Sequence, residues 1–340
     1  MSKYTSIISP EELKYEIQNN NQEFIKESRQ TISNIINWKD KRLLVIIWPC
    51  SLHNEEEAID YAKQIKKINQ DYQNLFIVMR AYFEKPRTHI WRKWLINDPY
   101  LNDSGDIQEW LRLARKILNQ INQLWIPTAT EFLDNLSYEY IQDLVSWWAI
   151  WARTTESQVH RQIVSDIKCP IGFKNWTNWS TNIAINAIKS ASNPHNFLWI
   201  NEKWKISIVN SQWNPDLHVV LRGWENGPNY DEKSINKAIN ELKNSNINSN
   251  LMIDFSHANS EKKYKNQIIV AEDIAKQIKN WNQNIVAAMI ESNINESNQS
   301  FDPSKDKKEE LEYWVSITDA CVNIEDSKKI LDKLNKAKSN

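Results

Sequence analysis

Eight short apolar runs recur along the chain, and most are followed by a stretch whose apolar residues fall at helical spacing. They are "LLVII" (43–47), "FIVMRAY" (76–82), "PTATEF" (127–132), "AIWAR" (149–153), "IGFKN" (171–175), "HVVLR" (218–222), "LMIDFS" (251–256) and "IVAAMIES" (285–292). Runs that stay apolar without alternating are what a parallel sheet buried on both faces requires. Between them, Asn54 precedes Ala58, Tyr61, Ile65 and Ile68, with Glu57 placed to close a capping box. Asp106 likewise precedes Ile107, Leu111, Ala114, Leu118 and Ile121, and Ile268, Ala271, Ile274, Ala275 and Ile278 repeat the spacing. Eight strands, most with a following helix, predict an α/β fold of the (β/α)8 TIM-barrel type. Residues 1–42 precede the first strand and read as a mostly helical N-terminal arm. Residues 43–340 then form the barrel, with a β-hairpin at about 197–213 inserted before the sixth strand.

Composition removes several function classes. The 340 residues carry a net charge of -1, so no broad basic surface for nucleic acid is expected. The stretch "RAYFEKPRTHIWRKW" (80–94) mixes bases with aromatics, as a single-strand platform would, but no second basic patch accompanies it. No apolar run approaches the roughly 18 residues of a membrane span, and the first residues lack the apolar centre of a signal peptide. Cys50, Cys169 and Cys321 are odd in number and unclustered, which argues against a disulfide framework and fits a reducing cytoplasm.

Chemistry enters at the strand ends, because barrels of this kind place their sites on the C-terminal face. Cys50 follows the first run, Arg80 ends the second with Lys85 and Arg87 just beyond, Glu131 lies on the third and Arg153 on the fourth. Lys174 ends the fifth, Arg222 the sixth, His257 follows the seventh and Glu291 ends the eighth. So many cations at one mouth must neutralise something, and small phosphorylated carboxylates suit them. Thiolate, imidazole and carboxylate donors nearby suit a divalent metal. Blander readings exist for each residue. A lone Cys after a strand is ordinarily a small core residue, His257 could be a satisfied loop histidine, and Glu131 and Glu291 could pair structurally with arginines.

The motifs "RLLVIIWPCSLHN", "MRAYFEKPRTHI", "LINDP", "ATEFLD", "WARTTESQVHR", "GFKN", "LRGW", "MIDFSHANS" and "SITDAC" together resemble the class I 3-deoxy-D-arabino-heptulosonate 7-phosphate (DAHP) synthases, of the phenylalanine/tyrosine-regulated type. The resemblance runs in order from about residue 36 to the C-terminus. It implies a metal-dependent transferase at the entry to the shikimate pathway, joining phosphoenolpyruvate to erythrose 4-phosphate. Cys50, His257, Glu291 and Asp319 would then hold one divalent metal ion (Mn, Fe, Co or Zn). Arg80, Lys85, Arg153, Lys174 and Arg222 would bind phosphoenolpyruvate, Arg87 and Thr88 the sugar phosphate, with Glu131 close by. Lys85, crowded by Arg80 and Arg87, would act as proton donor, beside Cys50 and His257 in the catalytic set. The resemblance further implies a homodimer or homotetramer and an aromatic amino acid effector held by the arm and the hairpin. Alternatives are a related 3-deoxy-octulosonate 8-phosphate-type synthase and a non-catalytic phosphate-ligand sensor; "KPRT" and "SITDAC" favour the first reading.

The departures from the family pattern share one character. The chain has 17 Trp and only 4 Gly. Trp48, Trp148, Trp151, Trp176, Trp179 and Trp224 stand where the motifs of the family carry Gly. The same holds for Trp38, Trp91, Trp94, Trp110, Trp125, Trp199, Trp204, Trp213, Trp281 and Trp314, leaving Trp147 as the one matched by a family Trp. Forcing a residue with a Cβ into left-handed backbone costs about 1–2 kcal/mol, and overpacking about 1–3 kcal/mol per site. Such costs, repeated across the chain, would exceed a total stability of about 5–15 kcal/mol. The expectation is therefore that UGA codons meaning glycine stand here as tryptophan.

Overall fold

The computed structural model describes residues 4–83, 99–102, 104–132, 134–175, 181–280, 282–302 and 305–339. Their strands are β1 Leu43–Trp48, β2 Leu75–Arg80, β3 Thr128–Phe132, β4 Trp147–Ile150, β5 Ile171–Lys174, β6 Asn196–Ile200, β7 Ile206–Asn210, β8 Leu217–Leu221, β9 Leu251–Asp254 and β10 Ile285–Glu291. The helices are α1 Pro10–Glu16, α2 Gln22–Ile36, α3 Glu55–Asn69, α4 Ile107–Gln123, α5 Tyr138–Ile141, α6 Gln158–Asp166, α7 Asn182–Ala191, α8 Glu232–Asn244, α9 Gln267–Lys279 and α10 Ile324–Ala337.

Eight strands close into a parallel barrel in the order β1-β10-β9-β8-β5-β4-β3-β2, while β6 and β7 pair antiparallel as a separate hairpin. Every residue of β1, β3, β4, β5, β8, β9 and β10 is buried, as continuous apolar runs demand when helices cover the outside. The sheet is thus an α/β (β/α)8 barrel with helices preceding it and a hairpin between β5 and β8.

The barrel interior is filled from its lower end by α2. Ile32, Ile35 and Ile36 join Leu44, Ile46, Met252 and Met289 in one buried cluster. Side chains fix that helix from several strand loops. Arg29 donates to the carbonyl of Val145, Ser33 to Asp216, and Asn248 and Asn250 to the carbonyl of Ile36. Helix α1 starts with a capping box between Ser9 and Glu12 and a proline at its first turn. The chain around it meets the hairpin turn, where Glu11 N–H donates to Glu202 O and Lys14 pairs with the Glu202 carboxylate.

Two local expectations are corrected. Asn54 caps α3 by accepting from Glu56 N–H, but Glu57 does not close the box. Its side chain turns inward to accept from the Trp314 N–H at 3.1 Å and to meet His53 at 3.4 Å. The fourth strand covers Trp147–Ile150 rather than 149–153. The carbonyl of Trp151 accepts from the N–H groups of Thr154 and Thr155, so a turn begins there and Arg153 lies beyond the strand.

Candidate active site

The C-terminal strand ends open on a cleft of about 990 Å³, large enough for a small ligand. Arg153, Lys174, Arg222, His257, Glu291 and Asp319 all line it, brought together from six separate parts of the chain. Trp151 and Trp224 share the wall. Lys85, Arg87 and Thr88 lie outside the described residues.

Two strand-end cations converge on one carboxylate. The Nη1 of Arg80 stands 2.7 Å from Glu131 Oε1, and the Nζ of Lys174 stands 2.6 Å from the same oxygen. Arg80 and Glu131 are buried and do not line the cleft; the Arg80 guanidinium lies 4.2 Å from the Trp48 ring centre and 4.8 Å from that of Tyr82. Burial alone would raise the Glu131 carboxyl, but Lys174 and Arg80 hold it below the usual carboxylate range. Arg222 is in the opposite position. Its burial pulls the guanidinium below its ordinary value, and no carboxylate stands within ion-pair distance of it among the described residues. Asp254, Glu131 and Glu291 act on this half-buried cation only through space, so it gains further when an anion enters the cleft.

Of the proposed metal donors, His257, Glu291 and Asp319 line this cleft, and Cys50 does not. His257 Nδ1 is 2.9 Å from Asp254 Oδ2 and 2.7 Å from Ser256 Oγ, which fixes the ring and leaves Nε2 as the nitrogen that a metal would take. The backbone of His257 is left-handed at φ +58°, so its loop turns sharply at that residue. Glu291 is anchored through its main chain, its N–H donating to Gln267 Oε1 while Gln267 Nε2 donates to its carbonyl. Cys50 is buried; its carbonyl accepts from Thr318 Oγ1 at 2.8 Å, next to Asp319. Ser51 strengthens the same join by accepting from Ile317 N–H at 3.0 Å. A thiol, an imidazole and two carboxylates suit a divalent ion in type. Among the described residues, however, no three His, Cys, Asp or Glu side chains stand close enough together to form a finished coordination sphere.

Sequence reasoning missed the residues that hold this arrangement. Asp254 is fully buried, and its carboxyl is pushed down by His257 and Lys174 despite the opposing effect of burial. Asn175 accepts from Arg222 N–H and donates to the Gly223 carbonyl, Asn229 accepts from Gly223 N–H, and Asn259 accepts from Asn229 N–H. This chain of amides locks the loop after β8 to the loop after β9. Gly223 has φ +75° there, and a Cβ on it would meet Ala258 and Asn259 at 2.7 Å, so only glycine fits. Position just after a strand end was the one available signal for Asn175.

The chain matches the profile of the DAHP synthetase I family over residues 14–332. A phospho-2-dehydro-3-deoxyheptonate aldolase of Haemophilus influenzae is 44% identical over 314 residues, 92% of this chain and 86% of that relative. The Tyr-sensitive enzyme of that name from Escherichia coli is 44% identical over 322 residues, 94% of this chain and 89% of the relative. The Trp-sensitive one from the same organism is 42% identical over 336 residues, 98% and 95% of the two chains. The solved structure of a phospho-2-dehydro-3-deoxyheptonate aldolase from Francisella tularensis superposes with a TM-score of 0.95 at 41% identity, covering 99% of this chain and 98% of that one. With a parallel barrel, a cationic cleft at its C-terminal face and this agreement over nearly its whole length, the chain belongs to the DAHP synthetase I family.

Proposed function

We propose that this protein is a DAHP synthase, converting phosphoenolpyruvate, D-erythrose 4-phosphate and water into DAHP and inorganic phosphate. The observation that carries the reading is the cleft lined together by Arg153, Lys174 and Arg222. Fixed cations of this kind hold a phosphate and a carboxylate together on one small substrate. They also meet the charge that grows as phosphate departs, without reorganising at that moment. Glu131 keeps Lys174 and Arg80 aligned, and the amide chain through Asn175 aligns Arg222.

The reaction forms a bond from C3 of phosphoenolpyruvate to the aldehyde carbon of the sugar; water adds at C2 and the C2–O bond to phosphate breaks. A divalent metal held by Cys50, His257, Glu291 and Asp319 would polarise the aldehyde oxygen. Lys85 supplies the proton to that oxygen, while Arg87 and Thr88 take the sugar phosphate. The arm and the hairpin form the site for an aromatic amino acid effector, a role supported by the contacts of Glu11 and Lys14 with Glu202. The chain acts as a homodimer or homotetramer in the cytoplasm. Leu198, Ile206 and Ile208, exposed on one face of the hairpin, support the first point, and three buried cysteines that form no disulfide support the second.

The test is phosphate release in a mixture of both substrates and a divalent metal. It should require all three, and Lys85→Met should abolish turnover with bound metal unchanged. Turnover with a five-carbon sugar phosphate in place of the four-carbon one would favour the eight-carbon synthase. Phosphate-ligand binding with no turnover would favour the sensor.

A further inference from the structure

Four tryptophans occupy left-handed backbone, at φ +62° for Trp38, +63° for Trp125, +55° for Trp204 and +69° for Trp314. Glycine enters this region freely, whereas a bulky side chain there is an outlier. Three of them sit in local settings that ask for glycine. Trp38 follows the C-cap of α2, and its N–H donates to Ile35 O while Lys39 N–H donates to Asn34 O, the two bonds of a Schellman motif. Trp125 follows the C-cap of α4 and donates to Asn122 O in the same way. Trp204 closes the β6–β7 turn, donating to Asn201 O, at the left-handed position where such hairpins place glycine. Trp38 and Trp125 are also solvent-exposed, so no burial of the indole offsets the backbone.

A second set is marked by its side chains. Among the described residues, the indole N–H groups of Trp48, Trp110, Trp148 and Trp151 are buried with no acceptor. Indole N–H groups usually find a partner when buried. Trp147 also lacks an acceptor, but the fold makes room for its ring. Gly172 faces it, and a Cβ at 172 would come within 2.7 Å of Trp147 Cζ2. Trp199, whose indole donates to Glu139, is not marked at all by the structure.

We infer that the working protein carries glycine at positions 38, 125, 204 and 314. A single codon, UGA, decoded as glycine, accounts for these and for every other tryptophan except Trp147. The inference stands apart from the catalytic reading and survives its failure. It has a consequence at the cleft, where glycine at 151 and 224 widens the wall and glycine at 48 removes the ring stacked on Arg80.

Reading the codons and mapping peptide masses of the protein from its own cells gives the first test. UGA at all sixteen positions, UGG at 147 and peptides carrying glycine are expected; UGG codons or tryptophan peptides at the sixteen overturn the inference. Trp199 is the sharpest single position, because nothing in the structure marks it and the codon rule still predicts its replacement. A second test separates backbone strain from bulk in a chain made with glycine at the other fifteen positions. There Trp38→Gly should exceed Trp38→Ala in folding constant by about 5–30-fold, measured by urea unfolding. Equal or better folding of the alanine chain overturns the backbone argument.

Discussion

Glu131 balances two buried cations with a single oxygen, so its removal should be far more costly than the loss of one surface ion pair. Glu131→Gln leaves Arg80 buried without its counter-charge and Lys174 with only Asp254, 3.8 Å away. It should destabilise the fold by about 3–5 kcal/mol in urea titration. Because the carboxyl is held below its ordinary value of 4.5, its stabilisation is complete above that pH and is lost as pH falls through the lower folded value. The variant should therefore lose part of the wild-type acid-side decline in stability. Asp254 acts on His257 in a comparable way. Asp254→Asn should weaken metal binding by about 10–100-fold, read by calorimetric titration with Mn. The sequence offered a structural pairing of Glu131 with arginines, which Arg80 bears out, but not the sharing of that oxygen with Lys174, nor the role of Asp254. Asp254 reads as the polar end of a strand, and only folding shows that its carboxylate meets His257 and lies 3.8 Å from Lys174.

At the level of elements, the strands were legible because burial on both faces leaves long apolar runs in the sequence. Their ends were not. The fourth run continues through Trp151 and Ala152 without a break in polarity, yet the Trp151 carbonyl caps a turn and moves Arg153 off the sheet. Glu57 sat at capping-box spacing, but a partner 257 residues away, the Trp314 N–H, claims it. Burial also raises its carboxyl to about 7, beside a His53 ring lowered by burial to about 4. This pair therefore passes through a neutral state rather than resting as a fixed ion pair. Contacts at such separation also define the joint between the Cys50 loop and the segment carrying Asp319. Thr318→Val removes the hydrogen bond to the Cys50 carbonyl, worth about 0.5–1.5 kcal/mol. Mn affinity should fall by up to about tenfold, with Thr318→Ser restoring it; an unchanged affinity would show that the joint does not align the two donors.

Across the whole molecule, the N-terminal arm is a part of the barrel's own core. Sequence alone showed a mostly helical segment ahead of the first strand; it could not show that Ile32, Ile35 and Ile36 fill the interior of a cylinder whose walls come later. Ile35→Ala should cost about 2–5 kcal/mol in urea unfolding, as a core position does, whereas an exposed arm position should cost little. Helix α2 leaves the ribosome before any strand, yet its last carbonyl is bonded by Asn248 and Asn250, 212 and 214 residues further on. This early helix must wait, its apolar face unsatisfied, until β9 and β10 exist to receive it. The nascent chain is thus obliged to shelter that face for most of its synthesis, and the cylinder can be sealed only after nearly the whole chain has been made.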